Sequence, residues 1–212
     1  MRKYFAEAIG TFALVFCGTG AIIIDQQTNG AIGHMGIATT FGLIVLCMIY
    51  TFGQISGAHF NPAVTIGFFI ANRFSKKEIA PYIFSQLAGG ITASLVLKYL
   101  FPLNENSGAT IPSGSNSQSF ILEFILTYFL MLVIMQVAHG SKETGIIAGI
   151  AIGSVVLLEA LFAGPISGAS MNPVRSLAPA IVSGNLHSLW IYLTAPFAGS
   201  VSAVLTWKAM KE

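Results

Sequence analysis

Charged side chains are scarce in this chain, which has ten Lys and Arg and eight Asp and Glu residues among 212. They amount to 8% of the sequence, whereas a soluble domain contains about 25%. The mean hydropathy is +0.76, and a soluble protein needs more polar side chains than this to cover its surface. A disordered chain is excluded as well, because disorder requires low hydrophobicity and high net charge. The composition therefore predicts an integral membrane protein.

The low net charge and the small numbers of cysteine and histidine residues exclude further classes of protein. The net charge of +2 is too small to favour nucleic acid as a partner. The two cysteines, Cys17 and Cys47, lie in apolar stretches, so we expect no disulfide framework. No histidine has metal-ligand spacing, and no nucleophile is paired with a base. We therefore expect no metal, no cofactor and no enzymatic activity.

Six apolar stretches are long enough to cross a bilayer, which takes about 20 residues. They cover residues 4–24, 34–54, 79–101, 118–138, 145–165 and 187–208. Two shorter apolar pieces, near residues 61–70 and 172–183, would each reach only about 15 Å. The first stretch could be a secretory signal, but Glu7 and its counterpart Glu123 favour a retained span.

The basic residues predict the orientation. With six spans, one side of the membrane receives Arg2, Lys3, Arg73, Lys76, Lys77, Lys142, Lys208 and Lys211, and the other receives Lys98 and Arg175. The positive-inside rule then places both termini in the cytoplasm. We expect a multi-pass protein of the cell's inner or plasma membrane, in contact with the lipid bilayer.

The two halves of the chain are related by an internal repeat. Residues 53–64 and 164–175 match at seven of twelve positions. Each half has three spans, an odd number, so the second half must enter the membrane inverted. The sequence predicts an all-α membrane fold with six transmembrane helices and two re-entrant half-helices. It divides one domain, residues 1–212, into a first half (1–101), an external loop (102–117) and a second half (118–212).

The repeated Asn-Pro pairs predict how the half-helices begin. Asn61 and Asn172 are preferred N-cap residues, and Pro62 and Pro173 suit the first helical position. The amide NH₂ groups would point into the space between the two loops. Each helix N-terminus adds about half a positive charge there.

The backbone before each Asn-Pro pair is predicted to supply carbonyl acceptors, since irregular backbone at membrane depth must line a wet cavity or pack in protein. These pore-lining carbonyls would belong to Gly57, Ala58, His59, Gly168 and Ser170. A neutral molecule can exchange hydrogen bonds along such a path. A cation meets two positive helix ends, and an anion loses its water without gaining a full counter-charge. We therefore predict a pore for small neutral solutes.

Both loops resemble the signature loops of the aquaporin (major intrinsic protein) family. The relevant sequences are Ser-Gly-Ala-His-Phe-Asn-Pro-Ala from Ser56 and Ser-Gly-Ala-Ser-Met-Asn-Pro-Val-Arg-Ser from Ser167. The six spans and the duplication agree, so the resemblance covers nearly the whole chain. It implies Asn-Pro-Ala at Asn61, Pro62 and Ala63, with a departure to Val174 after Asn172 and Pro173. It also implies a homotetramer with one pore per subunit.

The same resemblance implies a four-residue selectivity filter, formed by Phe41, Ala160, Ala169 and Arg175. Strict water channels have His at the position of Ala160, so this filter is wider and less polar. It is similar to the filter of nodulin-26-like channels, which pass polyols and neutral metalloid acids. We interpret the protein as a passive channel for water and small uncharged solutes such as glycerol-like polyols, urea or metalloid acids, with ions and protons excluded.

Two alternative functions remain open at this point. One is a strictly water-selective aquaporin. The other is a secondary active transporter, which would also use inverted repeats and broken helices, although the Asn-Pro loops offer amides where ion coupling normally needs a carboxylate.

The membrane-embedded acids have two predicted roles. Glu7 and Glu123 would brace the loops by accepting their free N–H groups. Glu159 has no settled role. It is either a structural carboxylate near the interface or another subunit, or a group that shapes the outer mouth of the pore or pairs with Arg175.

Overall fold

The computed structural model of the chain describes residues 1–138 and 145–211. Within these residues the regular structure is α-helical. The helices are α1 (Arg2–Gln27), α2 (Gly33–Ser56), α3 (Pro62–Ile70), α4 (Lys76–Leu100), α5 (Asn116–Ala138), α6 (Ala148–Ser167), α7 (Pro173–Ser183) and α8 (Leu189–Ala209).

Six of these helices are long and apolar enough to cross a membrane: α1, α2, α4, α5, α6 and α8. Their lengths run from 20 to 26 residues, and their ends fall within three residues of the predicted spans. The predicted six-span, all-helical fold is confirmed.

The two short helices are the half-helices expected from the sequence. Helix α3 has 9 residues and α7 has 11, which correspond to about 14 and 17 Å of helix. Neither can cross a hydrocarbon core of about 30 Å. The two are in contact with each other, and each also packs against α4 and α8.

The inverted repeat is visible in how the long helices approach one another. Helix α1 packs on α4 at Gly89, where an added Cβ would lie 2.1 Å from the Ala8 carbonyl oxygen. Helix α5 packs on α8 at Gly199, where an added Cβ would lie 2.3 Å from the Phe124 carbonyl oxygen. Glycine therefore allows the same close helix crossing in both halves.

The two halves also meet across equivalent glycines. An added Cβ at Gly42 of α2 would lie 2.7 Å from the Gly153 carbonyl oxygen of α6, and one at Gly153 would lie 2.7 Å from the Gly42 carbonyl oxygen. This reciprocal contact joins α2 to α6, and so one repeat to the other.

Two lysine side chains, Lys3 and Lys208, contact neighbouring helices at one end of the bundle. Lys3 Nζ lies 2.9 Å from Glu78 Oε2, which links the start of α1 to the start of α4. Lys208 Nζ donates to the Ile70 carbonyl at 2.7 Å, which links the end of α8 to the end of α3. Lys142, counted on this side in the sequence, lies outside the described residues.

Candidate pore

The half-helices begin as the Asn-Pro pairs predict. Asn61 caps α3, with its Oδ1 accepting from the N–H of Ala63 at 2.9 Å. Asn172 caps α7, with its Oδ1 accepting from the N–H groups of Val174 at 3.0 Å and Arg175 at 3.4 Å. Pro62 and Pro173 occupy the first helical positions. Both caps orient the Asn amide groups.

The amide NH₂ groups differ from the prediction in one respect. Asn61 Nδ2 donates to the Met171 carbonyl at 2.8 Å, and Asn172 Nδ2 donates to the Phe60 carbonyl at 2.8 Å. Each NH₂ has two N–H donors, so one of each pair joins the loops. One N–H per amide is left for the cavity that both Asn residues line.

The two loops have left-handed backbone at equivalent positions. Positive φ angles occur at Gly57, Ala58 and Phe60 in the first loop and at Gly168, Ala169 and Met171 in the second. A residue other than glycine in this region costs about 1–3 kcal/mol. The surroundings must therefore hold both loops in place.

Glu7 provides that support for the first loop. Its carboxylate accepts from the Ser56 hydroxyl at 2.7 Å, the His59 N–H at 2.9 Å and the Phe60 N–H at 2.7 Å. Gln86 Nε2 adds a fourth hydrogen bond at 2.8 Å. Glu7 is fully buried, so these four donors replace its hydration shell.

Glu123 makes the equivalent contacts with the second loop. It accepts from the Ser167 hydroxyl at 2.8 Å, the Ser170 N–H at 2.9 Å and the Met171 N–H at 2.8 Å. It too is fully buried. Both acids therefore bond two backbone N–H groups of the loop that precedes each half-helix, one of them from a residue with left-handed backbone, Phe60 or Met171.

The four predicted filter residues line one cavity of about 560 Å³. Phe41, Ala160 and Ala169 give it apolar side chains, while Arg175 gives it a guanidinium. Arg175 is 1% exposed and is held by two contacts. Its Nη1 donates to the Gly108 carbonyl at 3.1 Å, and its Cζ lies 5.0 Å from the centre of the Phe41 ring.

Four of the five residues predicted to offer carbonyls line the same cavity: Gly57, Ala58, His59 and Ser170. Gly168 instead lies against the loop between α4 and α5, where an added Cβ would be 2.9 Å from Thr110 Cγ2. The His59 ring is also well packed, with its centre 4.7 Å from that of Phe68.

The apolar wall of the cavity was not predicted from the sequence. It is formed by side chains from four long helices, among them Leu14, Val45, Ile49, Leu130, Ile134, Ile152 and Val156. Several continue from predicted filter residues at intervals of four, the spacing of one helix face. In spans that are apolar all round, the same spacing also fits lipid-facing residues, so the signal was ambiguous. The Gly108 carbonyl had no sequence signal.

Val174, the departure from the family motif, is accommodated by a glycine. The side chain is 1% exposed, and an added Cβ at Gly90 would lie 2.6 Å from Val174 Cγ1. At the equivalent place in the first half, Ser200 Oγ donates to the Ala63 carbonyl at 2.7 Å. The bulkier valine therefore faces the smaller neighbour.

Glu159 is buried, with 7% exposure, and neither carboxylate oxygen has a hydrogen-bond partner. It forms no ion pair with Arg175, because the ion pair among the described residues joins Lys3 and Glu78. The pairing considered from the sequence is therefore not formed.

Six spanning helices and two capped half-helices that meet at a cavity define a membrane channel protein. Comparisons identify the family: the model described as "Major intrinsic protein" matches residues 1–207, and the chain belongs to this family. It is 45% identical to "Aquaporin NIP1-2" of Arabidopsis thaliana, over all of this chain and 74% of the relative. It is 43% identical to "Nodulin-26" of Glycine max, over all of this chain and 78% of the relative.

A solved structure agrees with these relatives. The chain is similar to the aquaglyceroporin from Plasmodium falciparum, with a TM-score of 0.88, 28% identity, and coverage of 97% of this chain and 94% of that one. The protein is thus a multi-pass passive channel for water and small neutral solutes. It is neither a coupled transporter nor an enzyme.

Proposed function

We propose that this channel passes glycerol-like polyols as well as water, through a filter formed by Phe41, Ala160, Ala169 and Arg175. The observation that carries the proposal is the shared cavity of these four residues, in which Arg175 has the one polar side chain of the four. A polyol presents hydroxyl groups on one side and C–H groups on the other. Arg175 can bond the hydroxyls, while Phe41 and the two alanines contact the carbon chain.

Beyond the filter, hydrogen bonds from the two Asn amides and the loop carbonyls carry the solute through the membrane. The free N–H of each Asn donates to a solute oxygen, and the carbonyls of Gly57, Ala58, His59 and Ser170 accept from its hydroxyls. The N-termini of α3 and α7 add positive potential at the same place. A cation is therefore repelled at the point where the pore offers no counter-charge.

The same chemistry suits other small solutes. Urea and neutral metalloid acids are uncharged and both donate and accept hydrogen bonds, so they can use the same path. The position of Ala160 has room for these solutes because it carries a methyl group in place of an imidazole. The strictly water-selective alternative predicts that none of them passes.

The proposal also covers the orientation of the channel in the membrane, its domain organisation and its oligomeric state. The basic ends of α1, α4 and α8 face the cytoplasm of a plasma or inner membrane, as the positive-inside rule requires. Residues 1–212 act as one channel domain with halves 1–101 and 118–212, joined outside by residues 102–117. Four copies form a homotetramer, as the resemblance to the aquaporin family implies; cross-linking in native membranes tests it.

Stopped-flow light scattering on reconstituted vesicles tests the solute range. The unchanged protein should conduct both water and glycerol. Ala160→His should lower glycerol flux about tenfold, equivalent to roughly 1.4 kcal/mol in the barrier, and leave water flux within about twofold. Phe162→Leu on the exposed face of the same helix is the matched control and should change neither. Water flux with complete exclusion of glycerol by the unchanged protein would contradict the proposal.

A further inference from the structure

The second half of the chain has a proline where the first half has a hydrogen-bond donor. Tyr82 of α4 donates to the last carbonyl of α2 at 2.8 Å, and Tyr192 of α8 donates to the last carbonyl of α6 at 2.5 Å. These two tyrosines are equivalent in the repeat, so the residue equivalent to Gln86, four positions after Tyr82, is Pro196. Proline has no side-chain donor, so α8 cannot supply the hydrogen bonds that Gln86 supplies from α4.

Gln86 begins a short chain of hydrogen bonds that ends on the pore asparagine of the first half. Its Nε2 donates to Thr65 Oγ1 at 3.0 Å, and Thr65 Oγ1 donates to the Asn61 carbonyl at 3.0 Å. The first pore loop is therefore tied, through Thr65, to a side chain of a membrane-spanning helix.

A chain of hydroxyl groups ends on the pore asparagine of the second half. Ser176 is the counterpart of Thr65, since each stands four residues after a pore asparagine. Ser176 Oγ lies 2.6 Å from Ser170 Oγ, and Ser170 Oγ donates to the Asn172 carbonyl at 2.9 Å. The chain is extended by Thr110, whose Oγ1 lies 2.7 Å from Ser176 Oγ.

The direction of this chain follows from the single O–H that each hydroxyl carries. Because Ser170 uses its O–H on the Asn172 carbonyl, Ser176 must donate to Ser170. Ser176 then has only lone pairs left, so Thr110 must donate to it. The chain runs from Thr110 to Asn172, and Thr110 takes the place in the second half that Gln86 has in the first.

Thr110 comes from outside the repeat, in the loop between α4 and α5 that joins the two halves. Two residues earlier, the Gly108 carbonyl accepts from Arg175 Nη1 at 3.1 Å. Gly108 packs on α1, where an added Cβ would lie 2.9 Å from Thr19 Cβ, and the Ser113 N–H donates to a carbonyl of α6 at 2.9 Å. Contacts with α1 and α6 on either side thus keep Thr110 within reach of α7.

The hydroxyl chain bonds the chain neighbours of two filter residues. Ser176 directly follows Arg175, and Ser170 directly follows Ala169. Ser176 is fully buried and Ser170 is 6% exposed, so bulk water cannot readily replace a donor lost from this chain.

We propose that Thr110 is a positioning residue for the filter and that its hydroxyl, through Ser176 and Ser170, fixes where Arg175 and Ala169 stand. This inference rests on the proposed filter and on its passage of polyols. A polyol must bond the Arg175 guanidinium and contact the apolar filter side chains at the same time, whereas water needs one hydrogen bond in any orientation. Loss of the Thr110 donor therefore affects polyols more than water.

The first test measures the ratio of glycerol flux to water flux in reconstituted vesicles. Thr110→Val removes the hydroxyl and keeps the side-chain shape. It should lower glycerol flux about fivefold, the size expected for one lost hydrogen bond, and leave water flux within about twofold. Thr110→Ser keeps the donor and should match the unchanged protein.

The matched control is Thr92→Val. Thr92 is exposed on α4, and its hydroxyl donates to the Ala88 carbonyl of the same helix at 2.7 Å. The same chemical change at this position should alter neither flux. A Thr110→Val channel with the flux ratio of the unchanged protein would contradict the proposal.

Ser176→Ala tests the chain from its other end. It removes the acceptor of Thr110 and should change the flux ratio in the same direction as Thr110→Val. Adding Thr110→Val to Ser176→Ala should have no further effect, because both changes break one hydrogen bond. Additive effects would show that Thr110 does not act through Ser176.

Hydrogen–deuterium exchange of the reconstituted channel supplies a measurement that does not depend on the solute. Thr110→Val should speed exchange about fivefold in peptides covering residues 168–176 and leave residues 57–65 unchanged. Gln86→Met, which removes the donor of the first half, should produce the reverse pattern. Exchange in residues 168–176 that does not respond to Thr110→Val would overturn the proposal.

The two measurements separate this inference from the proposed function. If exchange rises but the flux ratio stays the same, Thr110 stabilises the loop without positioning the filter, and the proposal is wrong. If the unchanged protein excludes glycerol, the proposed function fails, whereas the exchange patterns still decide the role of Thr110. If Thr110→Val does not fold, the exchange and flux of Ser176→Ala decide it.

Discussion

The two half-helices are equivalent in the repeat, but their first turns pack differently. In the first half Ala63 is small, and its neighbour Ser200 is large enough to donate a hydrogen bond to its carbonyl at 2.7 Å. In the second half Val174 is larger, and its neighbour Gly90 has no side chain, leaving room for the valine methyl groups. Side-chain volume is therefore exchanged between partners, as close packing requires.

The far ends of the half-helices are closed by similar backbone hydrogen bonds, with Ala71 donating its N–H to the Gly67 carbonyl at 2.9 Å at the end of α3, and they differ in one added contact. Helix α3 ends beside Lys208, whose ammonium group donates to the Ile70 carbonyl at 2.7 Å. Helix α7 ends at Gly184, which has φ of 79° and donates its N–H to the Ala180 carbonyl at 2.9 Å. The two half-helices are thus alike at their Asn-capped N-termini, which line the cavity, and differ at their C-termini, which lie away from it. We infer that substitutions which alter the Asn caps are tolerated less well than substitutions which alter the contacts at the C-termini.

The largest effect is expected from removing the buried acids. Glu7→Ala leaves four donors without an acceptor and Glu123→Ala leaves three, at about 1–3 kcal/mol for each unsatisfied group. Both variants should lose channel activity, and Glu7→Ala should unfold at the lower temperature. Thermal unfolding in detergent, followed by circular dichroism, measures this. Equal stability of the two variants would contradict the inference that the fourth hydrogen bond makes Glu7 the more important acid.

An intermediate effect is expected at Gly90. Gly90→Ala places a methyl group against Val174 and should destabilise the protein by about 1–3 kcal/mol. Combining it with Val174→Ala should restore most of the stability, because the two side chains compete for one space. Thermal unfolding of the single and double variants checks the coupling.

The control for this experiment is Gly53→Ala. Gly53 is helical, and an added Cβ there meets no atom within 4 Å, so its unfolding temperature should not fall. Additive effects of Gly90→Ala and Val174→Ala would show that volume is not exchanged between these positions.

The smallest effect is expected at the end of α3. Lys208→Met removes the ammonium group from the Ile70 carbonyl and should cost about 1 kcal/mol. Lys77→Met, at an exposed position of α4, is the matched control and should be neutral. Denaturant unfolding of both variants provides the measurement. A neutral Lys208→Met would indicate that α3, like α7, needs no cation at its end.

The sequence was sufficient to predict the spans and the half-helices, because their signals are local. Apolar length identifies the spanning helices, and Asn61-Pro62 and Asn172-Pro173 fix where α3 and α7 begin. These two signals depend on residue type and spacing along the chain. The four filter positions, which share one cavity, came instead from the resemblance to the aquaporin family.

The features that escaped prediction depend on three-dimensional contacts. The bond from Asn61 to the Met171 carbonyl joins residues 110 apart, and nothing local specifies it. The partner of Arg175 is a backbone carbonyl at Gly108, which any residue type could provide. Glu7 has a fourth donor in Gln86, whereas Glu123 has Pro196 at the equivalent position, a difference that becomes clear only when the two halves are aligned in the folded structure.

The reciprocal bonds between the loops have a consequence for the order of folding. Asn61 cannot complete its hydrogen bonds until Met171 is in place, and Asn172 depends in the same way on Phe60, across separations of 110 and 112 residues. During synthesis the first three spans must therefore wait in the membrane with an unfinished loop. Both Asn residues therefore reach their full set of hydrogen bonds only when the second half of the chain is in place.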